Sequence, residues 1–478
     1  MKLFASVNLV RAFAFSRHID PHYRLDVVHN ETAALAKGWL GLAVGALVGS
    51  GVFSLLLVLS RTPGVNRLFP AAEFFRVALV VHVDLSVLVW FAAFAGMLWS
   101  LAATRRSRPF GWLALALCAT GTAGMCLSPF AGNAAPVMAN YIPVLASPIF
   151  MASLLVFGAG VAVMVLSALW GSGPLGVSLN GPSAIRLGLL GAAASVAVAL
   201  FAFLWSWLAL PMTLDAKTYY ELLFWGGGHV LQFTWTLLLL VSWLWLASAT
   251  GARLPFTPRV VVFLFSLALL LVLATPVIYL LYDVTSVEHR RLLTWTMRVG
   301  GGLSILPLAL GLAIALAEHR AVPVAAKPAR AALIMSLALF ALGGLIGFTI
   351  DGSNVKIPAH YHGCIVGITL AFMGVAYDLL PRLGFAAPTG RLANWQPYVY
   401  GIGQLMHISG LVWSGGYGVE RKVAGADQFL GNIQQVAGMG LMGLGGLIAI
   451  AGGIVFIVVV ARSVYASRAR GTTLSHRT

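Results

Sequence analysis

The chain has 478 residues, of which 60% are hydrophobic and only 9% charged, with a mean hydropathy of +0.91 and a formal net charge of +16. That balance excludes both an ordinary soluble domain and a disordered chain. The positive charge then has to be explained by a membrane or by nucleic acid, and its distribution along the chain decides between them.

Residues 1–37 are mixed in character, carry Lys2, Arg11, Arg17 and Arg24, and show no short apolar core followed by a small-residue cleavage site. They read as a cytoplasmic N-terminal segment ahead of a retained first span rather than a secretory signal. Twelve apolar segments follow, at 38–60, 76–102, 110–130, 144–170, 184–212, 222–248, 258–282, 293–317, 330–350, 356–380, 396–415 and 432–462. Each holds about 20 residues, enough to cross the hydrocarbon core. The fold class is therefore an all-α integral membrane protein, a twelve-transmembrane-helix bundle over 38–462. Residues 463–478 form a cytoplasmic tail, and no room remains for a separate soluble domain.

Alternating the twelve spans puts 20 of the 30 lysines and arginines on the side of both termini and 10 on the other. Arg105/Arg106/Arg108, Arg320/Lys327/Arg330 and Arg462/Arg468/Arg470 all fall on the termini's side. By the positive-inside rule both termini are cytoplasmic, in a multi-pass protein of a bacterial-type inner (plasma) membrane. The excess charge is thus a topology signal. The partner it implies is membrane lipid, and nucleic-acid binding is not expected.

Ionisable groups inside a span are costly and point to function. His82, His229, His360 and His362 lie in spans 2, 6 and 10, which all run from outside to inside. Counting from Arg76, Glu221 and Lys356 at 1.5 Å per residue, all four sit roughly 6–12 Å below the outer ends of their helices. One layer of imidazoles suggests a shared site, and imidazole is an axial ligand of haem iron. His360 and His362 are two residues apart, so they point about 200° from each other. One helix can then hold a haem or metal on each flank. With His82 as a further ligand, one haem is six-coordinate and the other five-coordinate.

Other features carry less. Cys118, Cys126 and Cys364 lie in apolar surroundings without a CxxC and read as small buried hydrophobes. Gly226-Gly227-Gly228 and Gly300-Gly301-Gly302 sit at apolar spans, where glycine permits close packing against a helix or a flat cofactor. His407 lies near the inner half of span 11 by this count and reads as a helix-interface residue. His18, His22, His29, His319 and His476 are cytoplasmic and receive no role.

The segment Ile357-Pro358-Ala359-His360-Tyr361-His362-Gly363, with Ala371-Phe372-Met373-Gly374-Val375-Ala376-Tyr377 and Leu379-Leu380-Pro381 after it, resembles the tenth helix of the haem-copper oxidase catalytic subunit. That superfamily includes cytochrome c oxidase subunit I and nitric oxide reductase. Trp225-Gly226-Gly227-Gly228-His229 resembles its sixth helix, and His82 fits its second. The resemblance implies two haems: a low-spin haem between His82 and His362, and a high-spin haem on His360. It makes His229 a ligand of the second metal and gives Arg421 and Lys422 the haem propionates, a pairing of cations with carboxylates. It also implies an outer-face electron donor, such as a c-type cytochrome or cupredoxin, and an accessory subunit.

The sequence departs from that pattern at the second metal. Where the family has two adjacent histidines on helix 7, this chain has Leu280-Leu281, and where the oxidases have a tyrosine it has Phe233. Leucine cannot bind a metal, and one imidazole is too few for copper. If the loop after span 7 folds inward, Glu288 and His289 could join His229 in a mixed set better suited to non-haem iron. The alternative for that pair is a solvated loop beside Arg290 and Arg291.

Carboxylates and lysines are sparse in the interior between Asp84 and Asp378, which argues against a long proton channel and against pumping. Protons would instead enter near Glu221, Asp283, Glu288 and Asp351. Three readings follow: an oxidoreductase that reduces a small gas, O2 or NO, with NO favoured by the missing copper ligands; a non-catalytic electron-transfer or gas-binding haem subunit; and a haem-free transporter.

Overall fold

The computed structural model describes residues 22–27, 31–68, 72–132, 134–172 and 179–475. The described residues form twelve long helices: α1 (Glu31–Arg61), α2 (Ala72–Val83, a π-helical stretch Asp84–Val89, then Trp90–Ala102), α3 (Arg108–Leu127), α4 (Pro148–Gly171), α5 (Gly181–Ala209) and α6 (Ala216–Ala249). They continue with α7 (Pro258–Val272 and Ala274–Leu281), α8 (Val287–Glu318), α9 (Lys327–Gly347), α10 (Lys356–Arg382), α11 (Arg391–Gly416) and α12 (Ile433–Ser475). Eleven are long and apolar enough to cross a membrane. The remaining one, α11, has 26 residues and carries Asn394, Gln396, Gln404 and His407 among its apolar positions. The protein is an all-α membrane bundle.

The bundle sorts its helices by burial. In α6 and α10, 83% of the most apolar window is buried, and 67% in α2, whereas α1, α3 and α4 are at 28–33%. The three histidine-bearing helices of the sequence reading are thus the innermost ones. Leu155, Leu208, Phe263, Leu270, Leu310 and Leu345 point outward from the peripheral helices. Such a rim is expected where lipid is the solvent and every backbone polar group is satisfied within a helix.

Local chemistry sets several boundaries that hydropathy misplaced. Residues 144–146 pair as a strand, with Ala135–Val137 antiparallel to Val144–Ala146, and α4 starts only at Pro148, which suits a first helical turn. In α7 the helix breaks at Leu273, because Pro276 lacks the N–H that the Val272 carbonyl would accept and its ring crowds that turn. Helix α8 begins at Val287, capped by Ser286, whose Oγ accepts from the His289 N–H at 3.2 Å. His289 is therefore a helical residue and not the loop residue of the sequence reading.

The segment ahead of α1 is no loose extension where it is described. Tyr23 is fully buried and its hydroxyl donates to the Phe256 carbonyl at 2.8 Å. Arg24 and Arg382 both pair with Asp378, at 3.6 and 3.2 Å, and Trp245 Nε1 donates to the same carboxylate at 2.9 Å. Asp378, weighed above as a proton group, is thus held as a structural anion. At the other end of the chain α12 continues through Ser475, so the expected tail is helical up to there. Lys2, Arg11, Arg17, His18, His29 and His476 lie outside the described residues.

Small residues let neighbouring helices touch. A Cβ on Gly363 of α10 would fall against the backbone of Gly343 on α9, and the reverse holds as well. Gly403 and Gly410 of α11 meet Ala449 and Met442 of α12 in the same way, and Gly438, Gly445 and Gly452 repeat the pattern from the other side. By contrast, nothing lies within 4 Å of a Cβ on Gly344. Gly363→Ala should therefore destabilise the bundle by about 1–3 kcal/mol through overpacking, while Gly344→Ala should be neutral or slightly stabilising. Thermal unfolding of the two variants in detergent, side by side with the wild type, measures the contrast.

Candidate functional site

A buried imidazole must satisfy its ring N–H. Five histidines do so in the same way, each through Nδ1 to a backbone carbonyl: His82 to Ser50 at 3.0 Å, His229 to Trp225 at 2.8 Å, His360 to Gly343 at 2.7 Å, His362 to Pro358 at 2.8 Å and His407 to Met442 at 3.0 Å. A carbonyl only accepts, so in each ring Nδ1 carries the proton and Nε2 keeps the lone pair. This is how a protein fixes an imidazole for ligating a metal through Nε2.

The fan of residues on α10 follows helical geometry. His360 turns to α9, where Gly343 accepts its proton and Gly347 leaves space beside its ring. His362 turns toward α11, with the His407 ring at 4.8 Å between centroids. Tyr361, between them, lies near the Arg421 guanidinium. The two histidines thus serve opposite flanks of one helix, and His82 lies within electrostatic range of His362 and His407. Directly after His82 the chain enters the π-helical stretch, and the His82 carbonyl accepts from Ser86 Oγ at 2.7 Å. Such bulges recur at functional sites. Half-buried, carbonyl-anchored imidazoles whose Nε2 has no hydrogen-bond partner among the described residues fit haem ligation at His82, His360 and His362.

The second-metal region is built differently. His229 Nε2 is 3.0 Å from the hydroxyl of Tyr141, which reaches in from the connection between α3 and α4. Since Nδ1 holds the imidazole proton, the tyrosine donates. Burial raises the phenol pKa well above its usual value, with Tyr361 and Glu221 adding to it, so the donor stays protonated. Both nitrogens of His229 are consequently occupied.

His289 is buried, packs edge-on against Tyr279 at 4.5 Å, and neither of its ring nitrogens has a hydrogen-bond partner among the described residues. Glu288 is exposed, so the expected Glu288/His289 pair is not presented together. Leu280 and Leu281 are also exposed, 70% and 69%, and it is Tyr279 that α7 turns inward. Among the described residues no three of His, Cys, Asp and Glu gather as a metal set. The side chains present do not fit a second metal ion.

Gly226, Gly227 and Gly228 explain how the aromatic groups reach this region. A Cβ on each would collide with Tyr279, Phe203 and Tyr141 respectively. The three glycines are sockets for three rings drawn from α7, α5 and the α3–α4 connection.

Above α10, Asn140 ties the α3–α4 connection, the first turns of α6 and the α11–α12 connection into a cap. Its N–H and side-chain amide donate to Glu221 at 2.9 and 2.5 Å, and its Oδ1 accepts from Arg421 at 3.1 Å and Lys422 at 3.4 Å. Lys422 also donates to the Met138 carbonyl at 2.7 Å and holds a left-handed φ of 63°. A left-handed lysine is uncommon and costs about 1–2 kcal/mol, which these bonds offset. Arg421 keeps donors to spare, and the pair stands beside Tyr361, where cations could meet carboxylates from below.

Two residues of this arrangement escaped the sequence reading. Tyr141 sits in a connecting segment and had no periodicity to mark it. His407 was placed too deep; it lies about two and a half turns from the end of α11, in the same layer as His362.

Comparison with known proteins finds that the family model for cytochrome c and quinol oxidase polypeptide I matches residues 34–449. An uncharacterized protein of Rickettsia prowazekii (strain Madrid E) is 29% identical over 519 residues, covering 91% of this chain and 97% of that protein. An uncharacterized protein of Aquifex aeolicus (strain VF5) is 28% identical over 373 residues, covering 75% of this chain and 88% of its own. The cryo-EM structure of a heme-copper terminal oxidase dimer matches with a TM-score of 0.70 at 18% identity, over 92% of this chain and 84% of that one. At that identity the likeness is one of fold.

The cap provides a pH test. Burial, and then Arg421, pull the Lys422 pKa down to about 8. Between about 8 and the ordinary 10.5 the unfolded chain holds a proton that the folded one has released, so this residue makes stability rise with pH over that window. Lys422→Met should flatten the rise. Melting temperatures of wild type and variant across the window give the comparison; parallel curves would contradict the burial of this lysine.

Proposed function

The chain belongs to the cytochrome c and quinol oxidase polypeptide I family, and we propose that within it the protein is a two-haem membrane subunit that binds and reduces a small gas. The observation that carries this reading is the shared state of three half-buried histidines, His82, His360 and His362, each with Nδ1–H on a carbonyl and Nε2 kept as a lone pair. His82 and His362 would hold a low-spin haem, and His360 a high-spin one. When bound, the haems supply electron transfer at the six-coordinate iron and gas binding and reduction at the five-coordinate iron. An outer-face donor, a c-type cytochrome or cupredoxin, would feed them, in a bacterial-type inner membrane with both termini cytoplasmic and an accessory subunit alongside.

The chain's own groups do the rest. Ser50, Gly343 and Pro358 fix the tautomers and orient the rings. Arg421 and Lys422 would balance haem carboxylates at the cap, held in place by Asn140 and Glu221. His229 and Tyr141 form a hydrogen-bonded pair rather than a metal ligand with an open position. Without a second metal site, the substrate that suits the protein is NO rather than O2, because NO reduction needs fewer electrons per turnover. The same pair also favours a second reading, a gas-binding or electron-transfer subunit without turnover, since the nitrogen that would face a metal is taken.

Two measurements decide. In purified protein, His82→Ala should abolish the low-spin spectrum and leave a CO-binding haem. Loss of the CO-binding haem alone, or of neither, would sink the assignment. In membranes, NO consumption should exceed O2 consumption; robust O2 reduction would refute the preference, and inactivity with both gases would leave the gas-binding reading.

A further inference from the structure

His407 was not needed for any of the roles above, yet it meets the same criteria as the histidines that were. It is buried, at 8% exposure, and Nδ1 is anchored on the Met442 carbonyl at 3.0 Å. Among the described residues no hydrogen-bond partner takes its Nε2, in contrast to His229. Its ring lies 4.8 Å from that of His362 at an interplanar angle of 46°, and it is within electrostatic range of both His82 and His362.

The position is built rather than incidental. The α11–α12 seam brings the two backbones into contact through Gly445, and Gly446 leaves the space beside His407 Nδ1, 3.2 Å from where a Cβ would stand. A helix-interface histidine without a ligand role would normally spend both nitrogens on neighbours. This one spends a single nitrogen and presents the other next to His362.

We propose that His407 is a reserve ligand for the low-spin haem on the α10–α11 side, able to stand in for His362. This rests on the two-haem reading above. In such an exchange the iron would lose its bond to His362 Nε2 and gain one to His407 Nε2, one imidazole for another. Both imidazoles are neutral with the proton on Nδ1, so no proton or electron has to move. The low-spin site then has a reserve ligand that keeps it six-coordinate when His362 is displaced or lost.

The test is spectroscopic and needs no turnover. Haem-replete full-length protein is prepared as wild type, His362→Ala, His407→Ala and the double variant, and low-spin haem is quantified by electron paramagnetic resonance and reduced-minus-oxidised spectra. His362→Ala should retain most of its low-spin haem with shifted g-values, His407→Ala should look like wild type, and the double variant should have none. His362→Gln, which better preserves side-chain volume, repeats the measurement in case alanine disturbs the fold, and the CO-binding haem on His360 reports folding in every sample. A wild type with low-spin haem whose His362 variants lose it, with the CO-binding haem intact, overturns this inference alone. A wild type with no low-spin haem overturns the two-haem reading and this inference with it.

Discussion

The bond from an imidazole Nδ1–H to a backbone carbonyl governs the interior of this protein. An uncompensated imidazole N–H in an apolar bundle costs a few kcal/mol, and most carbonyls inside a helix already serve their own ladder. His229 and His362 reach back one turn in their own helices, to Trp225 and Pro358. His82, His360 and His407 instead cross to α1, α9 and α12. Crossing requires helices close enough for a ring to reach the next backbone. The glycine contacts between α9 and α10, and between α11 and α12, supply that closeness. Packing and site chemistry are therefore one constraint at His360 and His407, because the glycines that bring those helices together also decide which ring nitrogen is free.

Much of this was legible in the sequence. Hydropathy alone gives twelve spans and hence an all-α membrane bundle, and the histidine spacing gives a common layer with opposed flanks on α10. The failures share a cause. Whatever depends on contact between distant segments leaves no periodic trace, so Tyr141, three spans away from reading as a partner for His229, was invisible. The start of α8 was set by the Ser286 cap rather than by hydropathy, and His289 moved from a loop into the bundle with it. Leu280 and Leu281 stand where histidines were sought, but their exposure means that α7 presents Tyr279 to the interior instead.

The three glycines of α6 make the same point from the other direction. As sequence they suggest freedom, or room for a flat cofactor. As structure they are among the most constrained positions in the chain, since each is matched to one ring. The room they leave is filled by Tyr279, Phe203 and Tyr141, and this filling keeps His229 hydrogen-bonded rather than open.

The shared carboxylate of Asp378 has a consequence for how the protein is made. Arg24 is synthesised near the start of the chain, while Asp378 and Arg382 arrive with α10, after nine spans have already entered the membrane. Until then Arg24 lacks the carboxylate that it meets in the finished bundle. Once α10 is in place, the same guanidinium docks on it, and the Tyr23 side chain is buried beside Phe256. The clasp can close only late, so the segment ahead of α1 latches a bundle whose tenth span is already in place.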